Sequence, residues 1–340
     1  MTVTARATAL AHPNIALAKY WGKRPYGHNL PAVPSLSVTL AGLATITTVT
    51  LDDALTADEL HLGGRPADAA ATKRVAGLLD RARAASGRSE RARVDSHNDF
   101  PTAAGLASSA SAFAALALAA RAAFGLPAPP EVVSDLARRT SVSAARSAFG
   151  GFVALRAGAQ EDDRDTHDAR DRLLSATPLA PPEHWPLRVI IAVTREGPKD
   201  VGSSDGMKHT VDTSPYFPAW VAHAPSLCAH VEAAVLARDF DALRAAAEAS
   251  ALRMHASAIA ADPGLLYWTG ATVEVMAETR RLRARGLPVF FTIDAGPHVK
   301  VFTLPDAEAE VKAALTAVPG VLRTLTATPG EGARLTGPTG

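Results

Sequence analysis

Cysteine is almost absent from this sequence, since Cys228 is the only one among 340 residues. A single cysteine excludes an internal disulfide framework and is typical of a reducing compartment. The N-terminal sequence MTVTARATALAHPNIALAKYW lacks an apolar core followed by a cleavage site, so it does not predict a secretory signal. We therefore expect a cytoplasmic protein.

A surplus of charge of one sign is also missing. The formal net charge is +1 at pH 7, and the lysines and arginines are dispersed along the chain. Nucleic acids and anionic membranes attract concentrated basic surfaces, so we expect neither as a partner. The Ala-rich segment 106–124 approaches the length of a membrane span, but its serines and small residues favour a protein core.

Several familiar catalytic motifs are absent. Eleven histidines occur without an HExxH pattern or a paired spacing, so we expect no structural metal site. The sequence also has neither a Walker A pattern nor a strand-linked GxGxxG, which excludes the two best-known nucleotide-binding loops.

The length predicts one large domain or two medium ones, because single cores stop growing near this size. A Pro-rich stretch, TPLAPPEHWP at 177–186, is the best candidate boundary. We predict an N-terminal unit at 1–183, a C-terminal unit at 184–328 and a disordered tail at 329–340.

Hydrophobic periodicity and turn signals predict the main elements. Strands are expected at 2–10, as an antiparallel pair within 35–51, and at 91–97, 187–194 and 321–327, with a hairpin over 286–304. Helices are expected at 70–86, 106–124, 129–140 and 307–317, with two or three more between Pro218 and Arg285. The segments NIALAKYWGKRPYGHNLP and REGPKDVGSSDGMKHT have no steady period and are predicted as polar loops.

The most informative stretch runs from Asn98 to Phe124, NDFPTAAGLASSASAFAALALAARAAF. A small-residue loop precedes a segment of strong helix formers that carries one charge, Arg121, which predicts a buried helix. Backbone N–H groups at its start, with Gly105, Ser108 and Ser109, could cradle a phosphate. The alternative is tight packing with a serine N-cap.

Two other segments concentrate polar groups. Asn14, Lys19, Tyr20 and Lys23 fall in one predicted loop, which is either a site or a surface turn anchored by Trp21. In SVSAARSAFGG, Ser141, Ser143 and Arg146 are spaced to meet one anion if they open a helix, or they form a cap with a surface arginine.

The loop PTAAGLASS resembles motif 2 of the GHMP small-molecule kinases, and the longer string NDFPTAAGLASSASAFAAL is similar to diphosphomevalonate decarboxylases. The segments NIALAKYWGKR, LSVTL, SAARSAFGGFV, DGM…TVDTSP, MHA and FTIDAGP resemble the same family in the same order, from about residue 7 to residue 304. Agreement of seven ordered pieces by chance is implausible.

This resemblance implies an α+β, two-lobed GHMP-kinase-like fold with the site in the cleft. The N-terminal lobe would be ribosomal protein S5 domain 2-like and the C-terminal lobe ferredoxin-like. It further implies a homodimer that uses ATP and Mg²⁺ to phosphorylate the 3-hydroxyl of mevalonate 5-diphosphate. Loss of phosphate and CO2 would then give isopentenyl diphosphate, in the mevalonate route to isoprenoids.

The resemblance also assigns roles to matching residues. The catalytic set would be Asp294 for the 3-hydroxyl proton, Arg146 for the substrate carboxylate and Lys19 beside the transferred phosphoryl group. Substrate binding would fall to Arg146 with Asn14, Tyr20, Trp21, Gly22, Lys23, Arg74, Ser141, Ser143, Ser203 and Ser204. ATP would meet Ser96, Asn98, Pro101, Gly105, Leu106, Ala107, Ser108, Ser109 and Met207 within or near the loop 101–110, with Ser109 as a magnesium ligand.

Some positions depart from the family pattern. The polar residues expected before SLSVTL are replaced by Ala32, Val33 and Pro34, Val142 stands where a glycine is usual, and His298 where an asparagine is. These changes leave open a decarboxylase of mevalonate 5-phosphate. The sequence is also compatible with a kinase that does not release CO2 and with a non-catalytic ATP-binding relative.

Overall fold

The computed structural model describes residues 5–25, 29–100, 108–157, 174–197 and 199–337. Its strands are β1 Arg6–Ala11, β2 Asn14–Ala18, β3 Ser35–Ala41, β4 Thr45–Asp52, β5 Glu59–Leu62, β6 Arg65–Pro66, β7 Arg91–Asn98, β8 Phe152–Leu155, β9 Thr177–Ala180, β10 Arg188–Val193, β11 Val289–Ile293, β12 Val299–Thr303, β13 Arg323–Pro329 and β14 Arg334–Leu335. Its helices are α1 Ala69–Ser86, α2 Ser108–Ala123, α3 Pro130–Thr140, α4 Ala144–Ser147, α5 Ser203–Thr213, α6 Phe217–Ala237, α7 Phe240–Ile259, α8 Gly270–Ala284 and α9 Glu308–Thr316.

A six-stranded sheet in the order β14-β1-β4-β7-β5-β6 carries the first core. Its pairs are antiparallel except β5 with β7. The Ala-rich helix α2 is buried against this sheet, and Leu116 of the helix and Phe124, directly after it, pack with Val49 and Val94. The predicted buried helix is therefore present, and it begins at Ser108 beside the end of β7.

An eight-stranded sheet in the order β11-β12-β10-β13-β3-β8-β9, with β2 paired to β3, carries the second core. It takes β2, β3, β8 and β9 from before the expected boundary at residue 183 and the others from after it. The strands within 35–51 exist, but the prediction that they pair with each other is wrong. Buried β3 belongs to this sheet, whereas alternating β4 joins the six-stranded one, and Gly42 redirects the chain between them with φ of +85°.

The prediction of a disordered tail is wrong for residues 329–337. Strand β13 ends at Pro329, and β14 then pairs antiparallel with β1. Between these strands the backbone passes very close to its neighbours: a Cβ on Gly332 would lie 2.7 Å from the carbonyl oxygen of Ala148. Glycines with no side chain allow this close crossing.

Two predicted loops contain regular structure. NIALA forms β2, which the alternation rule missed because all five residues are buried. The second predicted loop continues as helix α5 from Ser203, and its buried residues Gly206, Met207 and Thr210 follow helical spacing.

The predicted hairpin over 286–304 and the three helices α6, α7 and α8 are found. In the described part of the chain, none of the helices is both long and apolar enough to span a bilayer.

Candidate active site

Asp294 lies in the tight turn that joins β11 to β12. Gly296 N–H donates to the carbonyl oxygen of Asp294 at 2.6 Å. The hydroxyls of Thr194 and Thr272 both donate to the carbonyl oxygen of Pro297, at 2.9 and 2.7 Å. These bonds tie the turn to β10 and α8, so the carboxylate is fixed by rigid elements on both sides.

Two buried lysines flank the Asp294 carboxylate. Lys19 Nζ is 2.6 Å from Oδ1 and also donates to the carbonyl oxygen of Ala16 at 2.9 Å. Lys300 Nζ is 3.2 Å from Oδ2. Lys19 is 2% exposed and Lys300 is fully buried.

The charges in this cluster shift each other's proton affinity. Burial opposes ionisation of Asp294, but the charges of Lys19 and Lys300 hold its pKa well below the usual range. Burial lowers the pKa of Lys19 to about 8, although Asp294 works against that change. At neutral pH the carboxylate is ionised, and it is a weak base.

Arg146 lies in the short helix α4 and is 2% exposed. Its Nε donates to Ser37 Oγ at 2.8 Å and its Nη1 to Ser35 Oγ at 2.6 Å, while Nη2 is 3.3 Å from Asn14 Oδ1. No carboxylate in the described residues lies within ion-pair distance of it. Burial lowers the pKa of Arg146 to about 10. A buried guanidinium held only by neutral groups is costly, so it is suited to receive an anion.

Asn14 supports this arrangement from the start of β2. Its amide nitrogen donates to the carbonyl oxygen of Ser143 at 2.9 Å and to Ser147 Oγ at 2.7 Å. Asn14 therefore joins β2 to both ends of α4, and the alternative of a surface arginine at this helix is excluded.

A second group of polar side chains lies near the start of α5. Lys23 Nζ is 3.4 Å from Ser204 Oγ, and Lys199 Nζ donates to Ser203 Oγ at 2.6 Å and to the carbonyl oxygen of Ala295 at 2.8 Å. Burial, followed by the nearby charge of Lys300, lowers the pKa of Lys199 to about 8. Ser141 and Ser143, which lie between α3 and α4, have their hydroxyls 3.3 Å apart.

The three residues between Lys19 and Lys23 have different surroundings. The buried Tyr20 hydroxyl has no partner among the described residues, and burial raises the pKa of Tyr20. Trp21 packs edge-on against Tyr267 within an apolar cluster. Gly22 has φ of +99°, and a Cβ there would lie 2.6 Å from the Phe217 ring. Trp21 and Gly22 therefore shape the loop by packing, whereas the Tyr20 hydroxyl is free to meet a ligand.

A cavity of about 360 Å³ lies between α1, α2 and the six-stranded sheet. Its walls are largely apolar, with Leu60, Val75, Val94, Phe113 and Leu116, and its polar lining residues include Ser96, Asn98, Ser109 and Arg74. The Ser96 hydroxyl is bonded to that of Thr47 at 2.9 Å, and Asn98 Oδ1 accepts from Thr45 Oγ1 at 2.6 Å. An apolar slot with a few polar groups at the start of a helix fits a nucleotide base and its phosphates.

The remaining predicted nucleotide contacts divide into three groups. Pro101, Gly105, Leu106 and Ala107 lie outside the described residues. Ser108 and Ser109 open α2, and Ser109 is exposed. Met207 is 5% exposed and packs with Trp21, Trp220 and Met254, and it is not among the residues that line the cavity. Its apolar side chain completes the helical face of α5.

Arg74, which the resemblance assigns to the substrate, lies beside the residues predicted to bind the nucleotide. It lines the cavity with its guanidinium over the Phe113 ring, 4.7 Å from the ring centre. Burial, followed by the charge of Arg74, lowers the pKa of Lys23, so Arg74 lies between the cavity and the Lys23 group. It is positioned to reach phosphate groups on either side.

A protein-only metal site is not found in the described ranges, where no three His, Cys, Asp or Glu side chains meet. Magnesium prefers oxygen ligands and commonly keeps waters and substrate phosphates in its shell. The exposed Ser109 beside the cavity fits that mode of binding, in which the nucleotide supplies most of the oxygens.

Comparison with known proteins agrees with this geometry. Residues 11–167 match the model of the diphosphomevalonate decarboxylase-like N-terminal domain, and residues 189–328 match that of the mevalonate 5-diphosphate decarboxylase C-terminal domain. The chain belongs to the diphosphomevalonate decarboxylase family.

Individual relatives match over most of their length. The diphosphomevalonate decarboxylase of Aspergillus fumigatus is 37% identical over 335 residues, which cover 93% of this chain and 81% of the relative. The solved structure of MDDEF in complex with MVAPP, AMPPCP and magnesium has a TM-score of 0.89 at 38% identity and covers 98% of this chain and 99% of its own. The mevalonate diphosphate decarboxylase of Staphylococcus aureus has a TM-score of 0.90 at 33% identity, with the same coverage. The two-lobed, GHMP-kinase-like α+β fold expected from the family resemblance is thus confirmed.

The positions where this chain departs from the family pattern are accommodated by packing. Val33 is fully buried in the cluster around Trp21. Val142 is 3% exposed and is not among the described non-glycine residues with positive φ, so it imposes no strain. His298 Nδ1 accepts a bond from Thr194 N–H at 3.3 Å and so ties the Asp294 turn to the end of β10.

Four site residues were missed in the sequence. Lys300 is the one charged residue within the buried strand VKVFT, and that contrast with its neighbours was a readable signal. Ser35 and Ser37 alternate on β3, which places both hydroxyls on the face toward Arg146. Lys199 carried no signal, because polar residues surround it in the chain.

Proposed function

We propose that this enzyme catalyses the ATP-dependent decarboxylation of mevalonate 5-diphosphate to isopentenyl diphosphate, with release of ADP, phosphate and CO2. The observation that carries the proposal is the buried Arg146 without a carboxylate partner in the described residues, in one cluster with Asp294 and its two lysines. A substrate that presents both a carboxylate and a hydroxyl would satisfy both groups. The related MDDEF has been solved with MVAPP, AMPPCP and magnesium.

Arg146 would bind the C1 carboxylate of the substrate. Its guanidinium is held by Ser35, Ser37 and Asn14, so the planar fork is oriented before substrate arrives. A two-point contact with a carboxylate fixes both the position and the plane of the leaving CO2. That orientation aligns the carbon–carbon bond that breaks with the developing positive charge at C3.

Asp294 would orient the 3-hydroxyl group. With its pKa held low by two lysines, the carboxylate accepts a hydrogen bond from the hydroxyl but is a weak proton acceptor in the ground state. Lys19, 2.6 Å from Oδ1, supplies positive charge where the phosphoryl group is transferred. Positioning and charge stabilisation, rather than strong base catalysis, are the contributions of this pair.

The 5-diphosphate would bind among Lys23, Ser204, Ser141, Ser143 and the Tyr20 hydroxyl. These groups supply a cation and several hydroxyl donors around one region beside the Arg146 helix. Lys199, bonded to Ser203 and to the carbonyl oxygen of Ala295, would add a second cation between the diphosphate and Asp294.

ATP with magnesium supplies the phosphoryl group that converts the tertiary hydroxyl into a good leaving group. The cavity lined by Ser96, Asn98, Ser109 and Phe113 would hold the nucleotide, with its phosphates toward the start of α2. Arg74, at the edge of this cavity, would contact phosphate oxygens.

A paired assay tests the proposal. The purified enzyme is given ATP and magnesium with mevalonate 5-diphosphate or, separately, with mevalonate 5-phosphate, and ADP and CO2 are both measured. Equal amounts of ADP and CO2 from the diphosphate alone are expected. The same yield from the monophosphate alone would reassign the substrate, and ADP without CO2 would make the protein a kinase.

We also propose that the enzyme is a cytoplasmic homodimer, as the family resemblance implies. Light scattering coupled to size-exclusion chromatography measures the molar mass directly. The chain is 35.3 kDa, so a species of that mass would contradict the dimer.

A further inference from the structure

Lys300 lies beside the Asp294 carboxylate. It occupies the middle of β12, whose residues are all buried, and it is itself fully buried. Its Nζ is 3.2 Å from Asp294 Oδ2 and 3.3 Å from the carbonyl oxygen of His298. A charged side chain in such a place is rare unless it serves a specific partner.

The two oxygens of Asp294 have different surroundings. Oδ2 is buried, whereas the side chain as a whole is 24% exposed. The oxygen available to a hydroxyl group is therefore Oδ1, which also meets Lys19. If the carboxylate rotated, Oδ2 would lose Lys300 and a buried ammonium group would lose its counter-charge, which is unfavourable.

We propose that Lys300 is a positioning residue of the decarboxylation site, which anchors Asp294 Oδ2 in the core so that Oδ1 faces the cleft beside Lys19. The role rests on the proposed function, because it acts on the carboxylate that orients the 3-hydroxyl group. Lys300 is buried and would not contact substrate.

The charge of Lys300 also keeps Asp294 ionised. The charged or titratable groups that act on Asp294 come from every element around it: Lys19 after β2, Lys300 in β12, Arg146 in α4, Lys199 before α5 and His255 in α7. Burial lowers the pKa of His255 to about 3, and the pKa values of Lys19 and Lys199 are about 8. Lys19 and Lys300 hold the pKa of Asp294 low. Removing Lys300 would take away one of these two charges, so the pKa of Asp294 would rise.

The test is Lys300→Met, which removes the ammonium group and keeps the length of the side chain. We expect kcat to fall roughly tenfold to a hundredfold with little change in KM, since a misaligned reacting group costs about that much. We expect the acid limb of kcat to move to higher pH by about one unit or more, because an adjacent opposite charge is lost.

A second measurement is independent of substrate. Carbon-13 NMR of protein labelled at the aspartate carboxyl carbons, with Asp294→Asn used to identify the signal, gives the titration of Asp294 directly. The signal should titrate at higher pH in Lys300→Met than in the wild type. An unchanged titration and an unchanged kcat in the folded variant would overturn the proposal.

Two further variants separate the possible failures. If Lys300→Met does not fold, Lys300→Gln carries the same test, because it keeps a donor for Oδ2 without the charge. In the Asp294→Asn background, Lys300→Met should cause no further loss of residual turnover; a full additional loss would mean that Lys300 acts elsewhere. If the wild-type enzyme makes no CO2, the proposed function fails, while the NMR titration still decides the role of Lys300.

Discussion

Arg146 illustrates how one residue can be placed at a cost to stability because the site requires it. Its guanidinium is buried among three neutral side chains, Ser35, Ser37 and Asn14, with no carboxylate partner in the residues described. Burying an unpaired charge costs free energy, which the binding of an anion would offset. If Arg146 binds the substrate carboxylate as we propose, the site is prepared for that group before the substrate is bound.

Arg146→Lys should lower kcat/KM by about a hundredfold, because lysine keeps the charge but loses the two-point contact that orients the carboxylate. ATP affinity, measured by calorimetry, should stay unchanged. Arg156→Ala is the matched control, since that arginine is exposed and pairs with Glu232 at the surface. Wild-type kinetics in Arg146→Lys would remove this residue from the site.

Asp294→Asn should leave only a small residual turnover, lower than that of the wild type by orders of magnitude, while ATP still binds. The free energy of unfolding should also depend more strongly on pH in the alkaline range than it does in the wild type. Without the carboxylate, the folded-state pKa of Lys19, already about 8, falls further below its unfolded value of 10.5. Between those two values the unfolded chain binds more protons, so the unfolding free energy rises with pH.

Thermal melts of this variant at pH 7 and pH 9 measure that effect. The melting temperature should rise with pH more in Asp294→Asn than in the wild type. Asp200→Asn, at an exposed carboxylate paired with Arg195, should show no such gain. Near-normal turnover in Asp294→Asn would contradict the assignment of the catalytic aspartate.

At this scale the family resemblance predicted Asp294, Lys19 and Arg146, but their partners were harder to read. Lys300 and Lys199 come together with Asp294 only when β11, β12 and the segment before α5 meet in space. Sequence spacing cannot predict a contact between Lys19 and a residue 275 positions away. The surroundings of Arg74 and Met207 could not be predicted either, because Arg74 stacks over Phe113 and Met207 packs in an apolar cluster only in the folded chain.

At the scale of elements, local patterns predicted most helices and strands, and tertiary context decided the rest. β2 was missed because its burial on both faces removes the alternation that marks a half-exposed strand. The tail was missed because β14 has only two residues and is a strand only by its pairing with β1. Short pairing segments carry too little pattern to be predicted alone.

The C-terminal crossing supports the helix that carries Arg146. Gly151 N–H donates to the carbonyl oxygen of Gly330 at 2.9 Å, and a Cβ on Gly332 would lie 2.7 Å from the carbonyl oxygen of Ala148, directly after α4. Gly332→Ala should therefore force the backbone apart, destabilise the protein by about 1–3 kcal/mol and lower kcat. Gly77→Ala is the control, because a Cβ there meets nothing and alanine favours the helix.

Differential scanning calorimetry and steady-state kinetics on these two variants decide the point. The melting temperature should fall in Gly332→Ala and stay or rise in Gly77→Ala, with turnover altered only in the former. An unchanged melting temperature and unchanged turnover in Gly332→Ala would mean that the crossing can relax without moving α4.

At the scale of the whole molecule, the two halves of the chain share one sheet and one core. β13 pairs with β3, and β14 pairs with β1, so each sheet includes strands from both ends of the sequence. One apolar cluster joins Leu17 and Val38 to Val231, Val235 and Phe290. The cleft residues depend on this union, because Lys19 comes from the first half and Asp294 from the second.

The halves 1–183 and 184–340 should therefore not fold separately. Each fragment would expose the apolar face that the other covers, and strands β3 and β13 would lose a partner. Expressed alone, both should be aggregated or show poorly cooperative urea unfolding by circular dichroism. The intact chain should unfold in one transition, with tryptophan fluorescence and circular dichroism coincident.

Co-expression of the two fragments provides the decisive comparison. If the shared sheet holds the lobes together, the fragments should co-purify and recover part of the ATP-dependent CO2 release, because Lys19 and Asp294 meet again. A fragment that folds alone with a sharp transition would instead mean that each lobe has its own sufficient core. In that case the lobes would be expected to move relative to each other, and the distance between Lys19 and Asp294 would vary with that motion.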